Sequence, residues 1–209
     1  MTQRDLWDYY ECRVAQGVPG LANAVSYWQG LGVEVSEQEI ASEAHDVERV
    51  LASLPPVSFL EVGAGPGTFT DLLPGWGVAL DQSQSALLTI RRRCPTVPAV
   101  RADAMHLPVH DRSISRVFAT HIYGLLEPDS RATLLNEAKR LSSELVILDA
   151  GRPEGVPAEH WQHRTLPDGS QWHIFRRHFD PQVLADEVGG EILFGGRFYV
   201  IVAEGFRSA

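Results

Sequence analysis

A short apolar run that ends in closely spaced glycines, Val57-Ser58-Phe59-Leu60-Glu61-Val62 followed by Gly63-Ala64-Gly65-Pro66-Gly67, narrows the fold of this chain more than any other segment. The run reads as a buried strand, and Gly63, Gly65 and Gly67 let the backbone turn tightly and approach a ligand with no Cβ in the way. Thr68 to Leu73 follow as a helix start, whose unpaired N–H groups face that ligand. A nucleotide-like cofactor resting on backbone is the consequence. The nicotinamide fingerprint is the competing loop of this kind, but it sets its third glycine one residue later than Gly67.

Twenty residues after Glu61, Gly77-Val78-Ala79-Leu80 ends in Asp81, a carboxylate at the carboxyl end of a second strand, where it can accept both hydroxyls of a ribose. A third strand, Val97 to Val100, precedes Asp103-Ala104-Met105. An acid that accepts an exocyclic amino group, beside apolar residues that sandwich a ring, is what adenine recognition needs. Each acid alone is an ordinary strand-terminating or capping residue. In register at successive strand ends, they describe a nucleoside site.

On these residues the segment from about Val57 to Ala150 resembles the core of the class I S-adenosylmethionine-dependent methyltransferases, with a looser likeness to small-molecule enzymes of the ubiquinone/menaquinone type. The resemblance implies an α/β fold: a doubly wound, seven-stranded, mostly parallel Rossmann-like sheet with an antiparallel C-terminal strand and an N-terminal helical lid. It implies S-adenosylmethionine as cofactor and S-adenosylhomocysteine as product. Glu61, Gly63, Ala64, Gly65 and Gly67 then match the methionine end, Asp81 the ribose acid, and Asp103, Ala104 and Met105 the adenine motif. Gln82 and Thr120 complete the implied cofactor set.

At 209 residues and 44% hydrophobic, the chain suits a single methyltransferase domain over 1–209: helical lid 1–54, cofactor-binding core 55–150, substrate-covering segment and C-terminal hairpin 151–209. A net charge of -9 disfavours nucleic acid, because a phosphate polymer is repelled by most of such a surface. Arg91-Arg92-Arg93 ends a helix, where cations complement the dipole. Cys12 and Cys94 lack metal or redox spacing, and no apolar run approaches membrane-spanning length or a signal peptide. A cytoplasmic monomer or homodimer acting on a small molecule, with no membrane or nucleic-acid partner, is expected.

Gln3 to Gln16 and Leu21 to Leu31 read as helices broken at Gly17-Val18-Pro19-Gly20, and Ser36 to Leu54 as a third with a Ser36/Glu39 capping box. Helices at Ser83 to Arg93 and Asp129 to Leu141 alternate with strands at Arg116 to Thr120 and Glu144 to Asp149, the pattern of a parallel sheet covered on both faces. Gly151 to Gln171 reads as irregular. A helix at Pro181 to Val188 and strands at Glu191 to Phe194 and Arg197 to Ala203 follow, with Gly195-Gly196 as a two-residue hairpin turn.

Methyl transfer needs chiefly an in-line approach of nucleophile and sulfonium carbon, and sometimes a base. The best-placed base is His121, at the end of the fourth strand, with a structural polar contact as the blander reading. Tyr123 is placed in the same pocket. The segment 160–179 concentrates imidazole, indole and guanidinium groups, from which Trp161, Trp172 and Arg176 are taken as substrate contacts, aromatic walls with cations suiting a planar or acidic substrate. The alternative packs Trp172, Ile174 and Phe179 inward with the intervening polar residues in water. His160 and His163 lack an acidic or thiolate partner, so no metal is expected. Leu6-Trp7-Asp8-Tyr9-Tyr10 and Tyr27-Trp28 supply the lid aromatics, Tyr10 contacting substrate. A fold of this kind that binds the cofactor without transferring methyl is the competing function. A nucleic-acid or protein acceptor is disfavoured by charge and by Thr120-His121-Ile122-Tyr123 standing where an NPPY-like tetrapeptide would be.

Overall fold

The computed structural model describes residues 3–17 and 24–205. The expected break at Val18-Pro19-Gly20 and helix start at Leu21 lie outside the described residues.

Five parallel strands form the frame: β1 (Val57–Val62), β2 (Gly75–Asp81), β3 (Ala99–Arg101), β4 (Ile114–Thr120) and β5 (Ser142–Ala150). With the C-terminal β8 (Glu191–Gly195) and β9 (Tyr199–Gly205), they make one seven-stranded sheet, in the order β3-β2-β1-β4-β5-β9-β8. β9 alone runs against its neighbours, pairing antiparallel with both β5 and β8. This is the doubly wound, mostly parallel sheet with a reversed C-terminal strand that the sequence indicated.

Side-chain alternation divides the sheet into two apolar faces. Leu60, Val62, Val117, Leu145 and Ile147 bury against α5 (Pro128–Leu141) and α6 (Pro181–Val188) through Leu134, Leu141 and Leu184. Their sequence neighbours Phe59, Phe118, Val146 and Leu148 bury instead against Ile40, Val47 and Leu51 of α3 (Glu37–Ser53) and Trp28 of α2 (Ala24–Gly30). The α3 capping box forms as its sequence requires, the Ser36 hydroxyl accepting from Glu39 N and the Glu39 carboxylate from Ser36 N.

Three expectations need correction. The glycine loop does not launch an α-helix: only a 3-10 turn forms, over Thr70–Leu72, because Leu73-Pro74 returns the chain at once to β2. Phe69 and Leu73 of this short crossover pack beneath α3, so an N-terminal helix covers that face of the sheet. The β8–β9 turn lies at Arg197-Phe198, past the glycines, because Gly196 N bonds Tyr199 O. Glu43 of α3 accepts from both turn amides, Arg197 N and Phe198 N, the latter at 2.7 Å, and so anchors the tip there. Finally, the irregular stretch is half of an antiparallel hairpin, β6 (Glu159–Thr165) with β7 (Gln171–Arg177), separate from the main sheet.

That hairpin and α1 (Gln3–Ala15) close over the carboxyl ends of the parallel strands. Leu6 and Tyr9 of α1 bury against Leu166 and Ile174. On the other side, Glu11 accepts from Ser85 N and from Ser85 Oγ at 2.6 Å, at the start of α4 (Gln84–Arg93). No helix among the described residues is long and apolar enough to cross a membrane.

Candidate active site

Beneath α1 and the hairpin, at the carboxyl ends of β1, β2 and β4, lies a cavity of about 490 Å³. A crevice at this end is where open α/β sheets take ligands, because the strand order reverses there.

The glycine loop forms one wall. Gly63, Gly65 and Gly67 all have positive φ, at 66°, 55° and 78°. A Cβ on Gly63 would stand 2.6 Å from Ile122 Cδ1, whereas one on Gly65 would meet nothing within 4 Å, because that residue borders the cavity itself. The loop's donors are largely spent on the loop itself and on the end of β2: Ala64 N bonds Leu80 O, Gly67 N bonds Ala64 O, and Gly65 N bonds Asp81 Oδ2 at 2.7 Å. The wall therefore offers shape and closeness more than free N–H groups.

Asp81 links this wall to the next, its Oδ1 accepting from Ser83 N at 2.8 Å. Burial pushes its carboxyl above the ordinary aspartate range, against the pull of those backbone donors. Each oxygen keeps a further lone pair toward the cavity, which Asp81, Gln82, Asp103, Ala104 and Met105 all line. Asp103 Oδ1 is fixed by Met105 N at 2.9 Å. Two carboxylates beside a glycine cradle and an apolar edge match the hydroxyls, amino group and ring of a nucleoside.

Glu61 lies behind this wall and does not line the cavity. It is fully buried, with Oε2 accepting from Thr70 Oγ1 at 2.6 Å and Oε1 from Thr120 Oγ1 at 2.7 Å. Burial pushes its carboxyl up to about 7, despite the two hydroxyl donors. Its geometry ties the 3-10 turn to the end of β4, while Thr120 itself borders the cavity.

The opposite wall centres on His121. Its φ is 56°, a left-handed value uncommon for a residue with a side chain, held by His121 N bonding Leu148 O at 2.7 Å. The ring stacks on Phe69 with centroids 5.5 Å apart and meets Tyr199 edge-on. Its Nδ1 stands 3.4 Å from Arg176 Nη2 and 3.7 Å from Asp149 Oδ1, whereas Nε2 is buried without a hydrogen-bond partner. Asp149 accepts from Arg176, from Gly124 N at 2.8 Å and from Ala150 N at 2.7 Å. Burial alone would raise its carboxyl; the Arg176 charge and the His121 contact outweigh burial and hold it at about 2.

The sequence reading brings Tyr10, His121 and Arg176 to this cavity, with the cofactor set apart from Glu61 and Gly67. Three expected substrate contacts are corrected. Tyr123 points away, packing on Phe179 and donating to Glu187 Oε1 at 2.8 Å. Trp161 lies on the outer face of the hairpin, 40% exposed. Trp172 packs on Tyr9 behind the lid and does not line the cavity. Arg176 is the opposite case, a polar alternate that turns inward because β7 carries Trp172, Ile174 and Arg176 on one face. Asp149, Gln162 and Arg164 were not singled out, since what brings them to the site is long-range: Arg176 on Asp149, and Tyr27 against both Gln162 and Arg164.

Residues 59–144 match the family model described as a methyltransferase domain. Among solved structures, the chain is similar to DhpI in complex with SAH, at 20% identity and a TM-score of 0.72 over 98% of this chain and 97% of that one. It is also similar to the glycopeptide N-methyltransferase MtfA, at 21% identity and 0.54 over 78% and 88%. An S-adenosylmethionine-dependent methyltransferase from Mesorhizobium loti aligns at 14% identity and 0.54 over 78% and 96%. No curated protein sequence matches the chain.

Proposed function

We propose that this chain, which carries a class I S-adenosylmethionine-dependent methyltransferase core, moves a methyl group from that cofactor to a small-molecule acceptor. The observation that carries the reading is the meeting, in one cavity, of a nucleoside cradle (Gly65, Asp81, Asp103) with the half-buried imidazole of His121.

Asp81 would hold the ribose hydroxyls, Asp103 the adenine amino group with Met105 against the ring, and the glycine loop the methionine end. S-adenosylmethionine, when bound, supplies an electrophilic methyl carbon on a sulfonium. Everything else is positioning by the chain, and positioning is the larger part of such catalysis. Glu61 fixes the loop to β4 through its two threonines. His121 borders the cavity; in the tautomer with Nδ1–H toward Asp149, Nε2 is the nitrogen left to take a proton from an acceptor hydroxyl or amine. Phe69 and Tyr199 hold the ring in that orientation. α1 and the hairpin cover this end of the sheet. A cavity of about 490 Å³ beneath this cover suits a small acceptor.

Calorimetry with S-adenosylhomocysteine tests the cofactor site, with a measurable Kd expected and its loss on Asp81→Ala. Incubation with S-adenosylmethionine and fractionated small metabolites should release S-adenosylhomocysteine. Binding without release from any fraction would favour the competing reading of a non-transferring cofactor domain; no affinity for either cofactor form would overturn both.

A further inference from the structure

On the acceptor side, two guanidinium groups line the cavity, with no acidic side chain of the described residues beside them at its surface. Arg164 and Arg176 border it, while its lining acids, Asp81 and Asp103, both belong to the nucleoside cradle. Asp149 lies beneath and engages Arg176. We propose that the acceptor is a small acid, whose carboxylate or phosphate-type oxyanion is held by Arg164 and Arg176. This rests on the methyltransferase reading above and adds the substrate class to it.

The hairpin register places the two arginines. Gln162 pairs with Ile174 between them, with Arg164 opposite Trp172 and Arg176 opposite His160, and from this face of the hairpin Gln162, Arg164, Ile174 and Arg176 line the cavity. Both guanidinium groups lie within electrostatic reach of the Tyr10 hydroxyl, which burial keeps protonated, its pKa pushed up to about 12. Arg164 lies 4.9 Å over the Tyr27 ring and donates to the neutral Gln162 Oε1. Among the described residues it forms no ion pair with a carboxylate. A half-buried guanidinium with only an amide and a π-face is under-compensated, and an oxyanion matches its planar donors. Nearby imidazoles do not supply that charge balance. Burial and the neighbouring arginines hold His160 and His178 in the neutral form, the latter pushed down to about 3.

The cofactor's own carboxylate is the one rival occupant, and the test separates it. Protein saturated with S-adenosylhomocysteine is titrated with benzoate, phenyl phosphate and the neutral benzamide, followed by the same series with Arg164→Met. At least one acid should bind tenfold or more tightly than benzamide, benzoate and phenyl phosphate distinguishing the two oxyanion types. Arg164→Met should abolish that preference with S-adenosylhomocysteine affinity unchanged. Arg176→Met serves as the second variant, with thermal unfolding checked because its loss strands Asp149. Equal affinity for acid and amide, no binding of either acid, or acid binding seen only without S-adenosylhomocysteine, overturns the inference. Failure of S-adenosylhomocysteine itself to bind is a separate result, which removes the methyltransferase reading and this inference with it.

Discussion

Arg176 reaches from the covering hairpin into the floor of the main sheet, where its Nη2 donates to Asp149 Oδ1 over 2.9 Å, Asp149 being wholly buried. One contact thus joins the lid to the end of β5, with His121 Nδ1 beside it at 3.7 Å from the same oxygen. Asp149→Asn keeps the shape but leaves a buried guanidinium without its counter-charge, which costs about 3–5 kcal/mol. Urea unfolding should show that loss, and Asp149→Asn with Arg176→Met should recover part of it. A double variant no more stable than Asp149→Asn would mean that the amides of Gly124 and Ala150, and not the ion pair, depend on the carboxylate.

The frame was readable because β1, β2, β4 and β5 carry apolar runs buried on both faces, and α3, α4 and α6 carry cap residues that formed their hydrogen bonds. The nucleoside acids were readable because each follows its strand directly. The hairpin was not: Glu159-His160-Trp161-Gln162-His163-Arg164-Thr165 has polar residues on both faces, and its strand character comes from lining a polar cavity and pairing with β7. Period-2 reasoning has no purchase where the inward face is Gln162 and Arg164. The missing crossover helix misled differently, since Thr68 to Leu73 satisfies helix-start rules that Pro74 then cuts short. Asp149 was visible only as the end of a strand, because its partner Arg176 stands 27 residues on.

His121 occupies a left-handed conformation that asparagine also tolerates, so His121→Asn should fold as well as the parent. With the base removed, kcat should fall about 10²–10⁴-fold for a hydroxyl or amine acceptor, with S-adenosylhomocysteine affinity unchanged. An unchanged kcat would confine His121 to orientation.

Glu61 gives the stability a pH dependence opposite to that of a salt-bridged acid. Its folded pKa, about 7, stands above the ordinary value of 4.5, so the folded state prefers the protonated form. Its contribution is therefore fully present below about pH 4.5 and is lost as pH rises through 7. Glu61→Gln, which carries no charge, should unfold at a temperature less sensitive to pH between 5 and 8, and its advantage over the parent should grow toward pH 8, to of order 3 kcal/mol at most. An advantage that shrinks with rising pH would place the ionised form as the one the fold prefers.

Release of product requires α1 to move, because Leu6, Trp7 and Tyr10 close one side of the cavity. Its visible latch is Glu11, which accepts from the Ser85 backbone and hydroxyl at the start of α4 and whose carboxyl those bonds hold below the ordinary glutamate range, overcoming the opposing effect of burial. The carboxylate also meets the positive end of the α4 dipole. Because the latch is partly exposed, it contributes only about 1 kcal/mol, and Glu11→Ala should speed S-adenosylhomocysteine release by roughly three- to tenfold. Trp7 lines the cavity and provides the signal for stopped-flow fluorescence. Association should change less than release, since the open lid is common to both variants. Release at the parental rate would show that α1 is held by Leu6 and Tyr9 against the hairpin, with Glu11 an ordinary helix contact.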